Sequence, residues 1–270
     1  EQMMGRHGLD SSNTGAIGIS CGGPLDSKRG VVMSPPNLPG WNDIPIVRML
    51  EERFGIRTGI HNDANACALA EWKFGAGVGT QNMVFLTFGT GLGAGLILDG
   101  KLYAGTNDNA GELGHIRLSE FGPVGYGKCG SFEGFASGGG IAQLARFKVS
   151  EKQQMGESVA WCPPGQLDSI SAHTVALAAA SGDPLALEIY RISATYLGRG
   201  LAMVIDLLNP EVIVIGSIYV RNRELMEPFV LQEIEREALS HARRVCSVRP
   251  AKLGEQIGDY AALSVAANLI

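Results

Sequence analysis

Three short segments of the chain hold residues that could together transfer a phosphoryl group to a hydroxyl. They are residues 62–66, which include Asp63, the glycine-rich run 89–95, and residues 111–115, with a glutamate and a histidine three positions apart. A hydroxyl is a poor nucleophile, so its phosphorylation needs a carboxylate that accepts the proton and backbone N–H groups that hold the phosphates. The three segments therefore point to phosphoryl transfer onto a polyol.

Asp63 is the candidate proton acceptor of this chemistry. It precedes a segment whose apolar residues recur every three or four positions, which predicts a helix that ends near Gly75. An aspartate at that place is also a common N-cap of a helix. Proton acceptor and helix cap are both open interpretations, and one side chain can serve as both.

The glycine-rich run lies between two predicted strands. Residues 83–88 and 96–98 have apolar strand patterns, and Asp99-Gly100 indicates a hairpin turn after the second strand. A dinucleotide-binding fingerprint would instead have a helix after the glycines, so the pattern disfavours a Rossmann fold. A tight hairpin explains two glycines, whereas close approach to phosphates explains four in seven positions. The candidate phosphate-binding residues are Gly89, Thr90, Gly91 and Gly93.

The elements that must position these residues alternate between strand and helix. Further strands are predicted over 15–20 and 212–215, and further helices over 45–54, 183–209 and 258–270. The long helix has the clearest signals, because Asp183-Pro184 suits its start and Asn209-Pro210 suits its end. This alternation indicates an α/β fold. The proline-rich segment 34–41, which contains Asn37, is predicted to be a loop.

Composition excludes several classes of function. The chain has 270 residues, 45% of them hydrophobic and 18% charged, which predicts a soluble globular protein with one large domain or two modest ones. A net charge of -5 without clustered basic residues argues against a nucleic-acid partner. Five dispersed cysteines without a CxxC pair indicate a reducing cytoplasm rather than a disulfide framework. No apolar stretch is long enough for a membrane span, so no membrane partner is expected.

Seven motifs in order resemble the ROK family of repressors, open reading frames and sugar kinases. They are residues 22–24, 37–41, 62–66, 89–95, 111–115, 130–138 and 212–216. The resemblance covers nearly the whole chain and implies a two-lobed, actin-like (ribonuclease H-like) ATPase fold. The smaller α/β lobe would comprise residues 1–79 plus 260–270, and the larger lobe would comprise residues 80–259.

The resemblance also implies an activity, ATP-dependent phosphorylation of a hexose or an N-acetylhexosamine, with Mg²⁺ and with Asp63 as the general base. By the same resemblance, the sugar-binding residues would be Asn37, Asn62, Glu112, His115 and Glu133, and Gly216 would lie near adenosine. Four of these residues have an ordinary alternative: a turn residue for each asparagine, a hydrogen-bonded structural residue for His115, and a helix-entry acid for Glu133. Family members commonly form homodimers or homotetramers, and we expect one of these here.

Two departures from the family pattern affect what is expected. The family's N-terminal DxGGT motif is absent, and the chain opens with Glu1 close to a strand pattern, so we expect that its natural beginning is missing. The family's zinc cysteines are absent too: alignment of 130–133 with the family's GxE element places Val124, Tyr126 and Ser131 at their positions. Cys129 is out of register, so we expect no structural zinc.

Two rival functions stay open. Family repressors carry a DNA-binding segment ahead of the same body, so the chain could belong to a sugar-responsive transcriptional regulator. It could also be a module that binds sugar without catalysis. A DxGGT motif upstream would favour the kinase, a basic DNA-binding segment would favour the regulator, and sugar-induced stabilisation without ATP turnover would favour the binding module.

Overall fold

A computed structural model describes residues 2–270, and the chain forms two compact units. The first unit comprises the residues up to Phe85, Gly95–Gly111 and Lys252–Ile270, and the second comprises Leu86–Ala94 and Glu112–Ala251. The lobe boundaries predicted from the resemblance, 1–79 plus 260–270 and 80–259, stay a prediction.

The strands and helices of the described residues alternate along most of the chain, as the sequence predicts. The strands are β1 (Ile17–Cys21), β2 (Leu25–Asp26), β3 (Val31–Val32), β4 (Thr58–Asn62), β5 (Met83–Phe88), β6 (Leu92–Leu98), β7 (Lys101–Tyr103), β8 (Val124–Gly125), β9 (Lys128–Cys129), β10 (Val212–Ile215) and β11 (Ser247–Pro250). The helices are α1 (Gln2–His7), α2 (Ile46–Phe54), α3 (Asp63–Phe74), α4 (Phe132–Phe135), α5 (Gly138–Gln154), α6 (Ala172–Ala180), α7 (Pro184–Leu208), α8 (Ile218–Arg221), α9 (Arg223–Glu237), α10 (Ser240–Arg243) and α11 (Ile257–Ala267). Single 3-10 turns occur at Leu113–His115, Leu167–Ser169 and Gly254–Gln256.

In the first unit, β1 and β4 form a parallel pair that positions the predicted catalytic segment. Their register runs from Ile17 opposite Thr58 to Cys21 opposite Asn62. One face of the pair lies against α11, where a Cβ on Gly18 would collide with the carbonyl oxygen of Ala262. Close packing of this helix therefore requires a residue without a side chain at position 18.

The opposite face of the pair holds a small apolar core. Leu25, Val32 and Ile60 are buried there, with Ile19 and Val47 packed against them. The pair is therefore packed on both faces, against α11 on one side and against this core on the other.

A buried glutamate fixes the segment that leads into α11. Glu71 of α3 has no exposed surface, and its Oε1 accepts the N–H groups of Lys252 and Leu253, both at 2.9 Å. Its Oε2 accepts the N–H of Ala76 at 2.7 Å. The carboxylate thus satisfies three backbone donors, which would otherwise cost free energy in the protein interior.

A five-stranded sheet has the order β11-β10-β5-β6-β7. β10 pairs in parallel with β11, and β7 pairs antiparallel with β6 through the hairpin turn predicted at Asp99-Gly100. All four residues of β10 are buried, as its continuous apolar pattern predicts.

The structure confirms the long predicted helix as α7. Asp183 Oδ1 accepts the N–H of Ala186 at 2.9 Å, and Pro184 occupies the first helical position. The helix ends at Asn209, whose φ of 45° is left-handed. Both ends follow local capping chemistry, so they could be predicted from the sequence.

The start of β6 differs from the prediction. The strand begins at Leu92 rather than Leu96, so Gly93 and Gly95 lie within it. A Cβ on Gly95 would lie 2.5 Å from the carbonyl oxygen of Ala64 and 2.6 Å from the Cβ of Ala68. This glycine therefore allows β6 to pack against α3, and only the residues before Leu92 form the turn.

Candidate functional site

The start of α3 holds two neighbouring polar residues that make different contacts. Asn62 is the N-cap, because its Oδ1 accepts the N–H of Asn65 at 2.7 Å. Asp63 is the first helical residue and is exposed, and its Oδ1 accepts the N–H of Ala64 at 2.9 Å. Its Oδ2 makes no hydrogen bond to the described residues, so it is available to a ligand.

Asn37 and Asn62 lie at the same end of the β1–β4 pair. Asn62 is the last residue of β4 and pairs in register with Cys21, the last residue of β1. Asn37 reaches the next residue, since a Cβ on Gly22 would lie 3.4 Å from both its Oδ1 and its Nδ2. Ligands of open α/β sheets bind at the carboxyl ends of the strands, which is where these amides lie. Since Oδ1 of Asn62 caps α3, its Nδ2 is the group left to donate to a ligand.

A second aspartate supports this end of the first unit. Asp108 accepts hydrogen bonds from the N–H and the Oγ of Ser27, both at 2.7 Å. Burial lowers the pKa of His61, which precedes Asn62, and the charge of Asp108 opposes that shift. The lowered pKa keeps the imidazole uncharged at neutral pH. Sequence reasoning missed Asp108, because an aspartate among loop residues 105–111 has no distinguishing pattern.

Glu112 and His115 belong to one 3-10 turn of the second unit. Glu112 immediately precedes the turn Leu113–His115, and its carbonyl oxygen accepts the N–H of His115 at 3.1 Å. The side chains of both residues are exposed. The ring of His115 lies edge-on to that of Tyr126, with centroids 6.0 Å apart.

Glu133 contacts the glycine turn. It is the second residue of α4, and its Oε2 accepts the N–H of Leu92 at 3.0 Å. A Cβ on Gly91 would lie 2.7 Å from the same oxygen, so the absence of a side chain at Gly91 permits the contact. Glu133 is thus both a helix-entry acid and a neighbour of the predicted phosphate-binding residues.

The glycine turn is oriented by the start of α5. The carbonyl oxygens of Gly89 and Thr90 accept the N–H groups of Gly138 and Gly139 at 2.8 and 3.2 Å. In a planar trans peptide the C=O and the N–H point in opposite directions. The N–H groups of Thr90 and Gly91 therefore point away from α5, and they have no hydrogen-bond partner among the described residues.

Gly89 itself is not required by the fold. A Cβ at this position would meet no atom within 4 Å, and its φ is not positive. Neither packing nor backbone conformation therefore selects glycine here, whereas close approach of a ligand would. Gly93 differs, because its N–H already donates to Thr87 Oγ1 at 3.0 Å.

A cavity of about 780 Å³ in the second unit opens onto the turn at Gly89 and Thr90. One wall is apolar, from Ala176 and Leu177 of α6, and Arg221 adds a cation at the end of α8. An apolar wall with a few polar groups suits a flat base carried on a sugar and phosphates. Sequence reasoning missed this cavity because small apolar helix residues are common in any core.

Gly216 leads into one side of this cavity. It follows β10, and its N–H donates to the carbonyl oxygen of Leu86 at 3.0 Å. The next residue, Ser217, has a φ of 51° and a ψ of -111°, a conformation that favours glycine. A glycine at position 217 would adopt this turn without strain, and here α8 follows it and contributes Ile218 to the cavity.

The residues at the family's zinc positions do not fit that metal. Ser131 Oγ accepts the N–H of Gly134 and caps α4, and the thiol of Cys129 donates to the carbonyl oxygen of Gly122 at 3.2 Å. Structural zinc takes four Cys or His ligands. Among residues 2–270, no group of three or more His, Cys, Asp or Glu side chains could hold a metal ion.

None of the described helices combines the length and the hydropathy needed to cross a membrane.

Comparison with known proteins agrees with the motifs. The chain is 32% identical to the glucokinase of Streptomyces coelicolor over 253 residues, which cover 93% of this chain and 80% of that enzyme. A ROK family glucokinase from Streptomyces griseus, solved with glucose and AMPPNP, is 32% identical with a TM-score of 0.76, covering 94% of this chain and 82% of that one.

A regulator is equally similar in structure. A ROK family transcriptional regulator, a homologue of the Escherichia coli Mlc protein, superposes with a TM-score of 0.80 at 30% identity, covering 93% of this chain and 62% of that one. These neighbours confirm the predicted α/β, actin-like ATPase fold. The family model described as "ROK family" matches residues 3–268, so the chain belongs to the ROK family.

Proposed function

We propose that this protein is an ATP-dependent kinase that phosphorylates a hydroxyl of a hexose or an N-acetylhexosamine. The observation that carries the proposal is that Asn62, and not Asp63, caps α3. Because Asn62 caps α3, the exposed carboxylate of Asp63 keeps one oxygen without a partner among the described residues. A general base needs such an oxygen within reach of the hydroxyl that it deprotonates. Similarity to two glucokinases supports the same reaction.

The other candidate residues have defined parts in the proposed reaction. Asn37 and the Nδ2 of Asn62 bind sugar hydroxyls in the first unit, and Glu112, His115 and Glu133 provide sugar-binding groups in the second. The N–H groups of Thr90 and Gly91 bind phosphate oxygens. Gly93 and Gly216 shape the backbone beside them.

ATP supplies the phosphoryl group when bound, and Mg²⁺ neutralises its charge. Mg²⁺ in such sites is held mainly by phosphate oxygens and water, with one or two carboxylates, so it needs no protein cage. The apolar wall of the 780 Å³ cavity fits the adenine base. We place the protein in the cytoplasm, where ATP is available, and expect a homodimer or homotetramer.

A coupled-enzyme screen of hexoses and N-acetylhexosamines with ATP and Mg²⁺ tests the proposal. We expect sugar-dependent ADP formation with at least one of them and a sugar phosphate as product. Sugar-induced thermal stabilisation without ADP formation would instead identify a binding module.

The transcriptional regulator is the second candidate, favoured by the TM-score of 0.80 to the Mlc homologue. Sugar-dependent release of promoter DNA, without ADP formation, would identify that function. The net charge of -5 argues against direct DNA binding by this part of the protein.

Replacing Gly89 with valine is expected to raise the KM for ATP roughly tenfold or more, because the new side chain occupies the space that phosphates approach. Thermal stability should hardly change, since an added Cβ meets nothing in the protein. Steady-state kinetics and the melting temperature measure the two effects. Gly258→Val is the matched control, because its Cβ also meets no atom within 4 Å and it is remote in sequence from the turn. An unchanged KM for ATP in Gly89→Val would exclude this turn as the phosphate site.

A further inference from the structure

The β8–β9 hairpin, residues 124–129, contacts the turn that carries His115. Lys128 Nζ donates to the carbonyl oxygen of His115 at 2.6 Å, and the Tyr126 ring lies edge-on to the imidazole. Arg117, two residues after His115, donates from Nη1 to the carbonyl oxygen of Cys129 at 3.0 Å. Three contacts therefore join the hairpin to one short segment.

The hairpin is itself anchored on two helices. Gln143 of α5 pairs with Val124 as a strand would, since its Oε1 accepts the N–H at 3.0 Å and its Nε2 donates to the carbonyl oxygen at 2.8 Å. On the other side, a Cβ on Gly125 would lie 2.7 Å from the backbone nitrogen of Gly134 in α4. These contacts fix the hairpin, so Lys128 extends from a fixed base.

The turn that Lys128 contacts needs outside support. A single 3-10 turn has poor hydrogen-bond geometry, and its last carbonyl groups have no partner within the turn. His115 is the last residue of the turn, and its side chain is exposed. The ammonium of Lys128 on that carbonyl satisfies the acceptor and complements the negative end of the turn.

We propose that Lys128, together with the Tyr126 ring, is a positioning device for His115 and Glu112 that takes the place of a structural zinc. The proposal rests on the proposed function, because it assigns these two residues to sugar binding. Lys128 acts through the backbone of the turn, and the Tyr126 ring contacts the imidazole edge-on. In this way hydrogen bonds and a ring contact hold the segment that cysteine ligands could not hold here.

Lys128→Met tests the device, because methionine keeps most of the apolar stem and removes the donor. We expect the KM for sugar to rise about tenfold, while kcat and the KM for ATP change less than about twofold. Hydrogen exchange of residues 113–118 should accelerate. Lys128→Arg should restore most of the sugar affinity. Lys152→Met is the matched control. It also removes an ammonium from the second unit, but that ammonium pairs with Glu157 and not with the turn.

The same experiment separates this proposal from the proposed function. If the wild type neither phosphorylates nor binds any sugar, the proposed function fails, and the exchange rates of 113–118 in Lys128→Met still decide whether Lys128 holds the turn. Unchanged exchange rates together with an unchanged sugar KM would overturn the positioning role. One zinc per chain in elemental analysis would overturn the proposal that Lys128 and Tyr126 take the place of the metal.

Discussion

Replacing Asp63 with asparagine is expected to lower kcat by about 10²–10⁴-fold, because the sugar hydroxyl loses its proton acceptor. The amide matches the carboxylate in shape, and its Oδ1 can still accept the N–H of Ala64, so α3 should form normally. Sugar affinity should change little. Steady-state kinetics measure kcat, and calorimetric titration measures the sugar Kd.

Asn62→Ser is the matched control for this variant. Serine retains an oxygen that can accept the N–H of Asn65 and cap α3, but it removes the amide donor assigned to sugar. It should therefore raise the KM for sugar and lower kcat much less than Asp63→Asn does. Near-normal turnover in Asp63→Asn would remove Asp63 from the role of general base.

Replacing Glu71 with alanine is expected to reduce the free energy of unfolding by about 3 kcal/mol, since three backbone N–H groups lose the buried carboxylate that accepts them. Two of them, in Lys252 and Leu253, belong to the segment that leads into α11. The third belongs to Ala76 just after α3. Urea denaturation, monitored by circular dichroism, measures the change.

Two further variants provide reference values for the loss in the free energy of unfolding. Glu71→Gln keeps one oxygen for Lys252 and Leu253 but turns an NH₂ group toward the Ala76 N–H, so its loss should be intermediate. Glu52→Ala removes an exposed glutamate that pairs with Arg48, and should cost less than about 1 kcal/mol. Equal stability of Glu71→Ala and Glu52→Ala would show that the buried carboxylate is dispensable.

Elements with local signals could be predicted from the sequence. The ends of α7 follow from Asp183, Pro184 and Asn209, which act on neighbouring backbone groups. The order of motifs likewise predicted the family, and the structural neighbours confirm it. Chemistry confined to a few consecutive residues is readable without knowledge of the fold.

Features that depend on distant contacts could not be predicted. Gly95 resembles a turn residue in sequence, but its role is set by Ala64 and Ala68 more than twenty-five residues earlier. The division of roles between Asn62 and Asp63 was equally hidden, because both side chains can cap a helix. Only the backbone geometry at the end of β4 selects Asn62.

The cavity and the hairpin contacts of the second unit also depend on residues that are distant in sequence, so they could not be predicted. Ala176 and Leu177 carry no functional pattern, and they form a wall only because α6 lies beside the glycine turn. Lys128 looks like any surface lysine until its contact with His115 is seen. Such residues become candidates through their neighbours rather than through their type.

Gly18 and Gly89 lack side chains for different reasons. A methyl group at 18 would displace α11 from the β1–β4 pair. A selection for folded protein alone would therefore remove substitutions at this position. A methyl group at 89 meets no protein atom within 4 Å, so under the proposed function only a selection for turnover would act against it. A saturation library sorted once for expression and once for growth on the sugar would therefore separate architectural glycines from those that face a ligand.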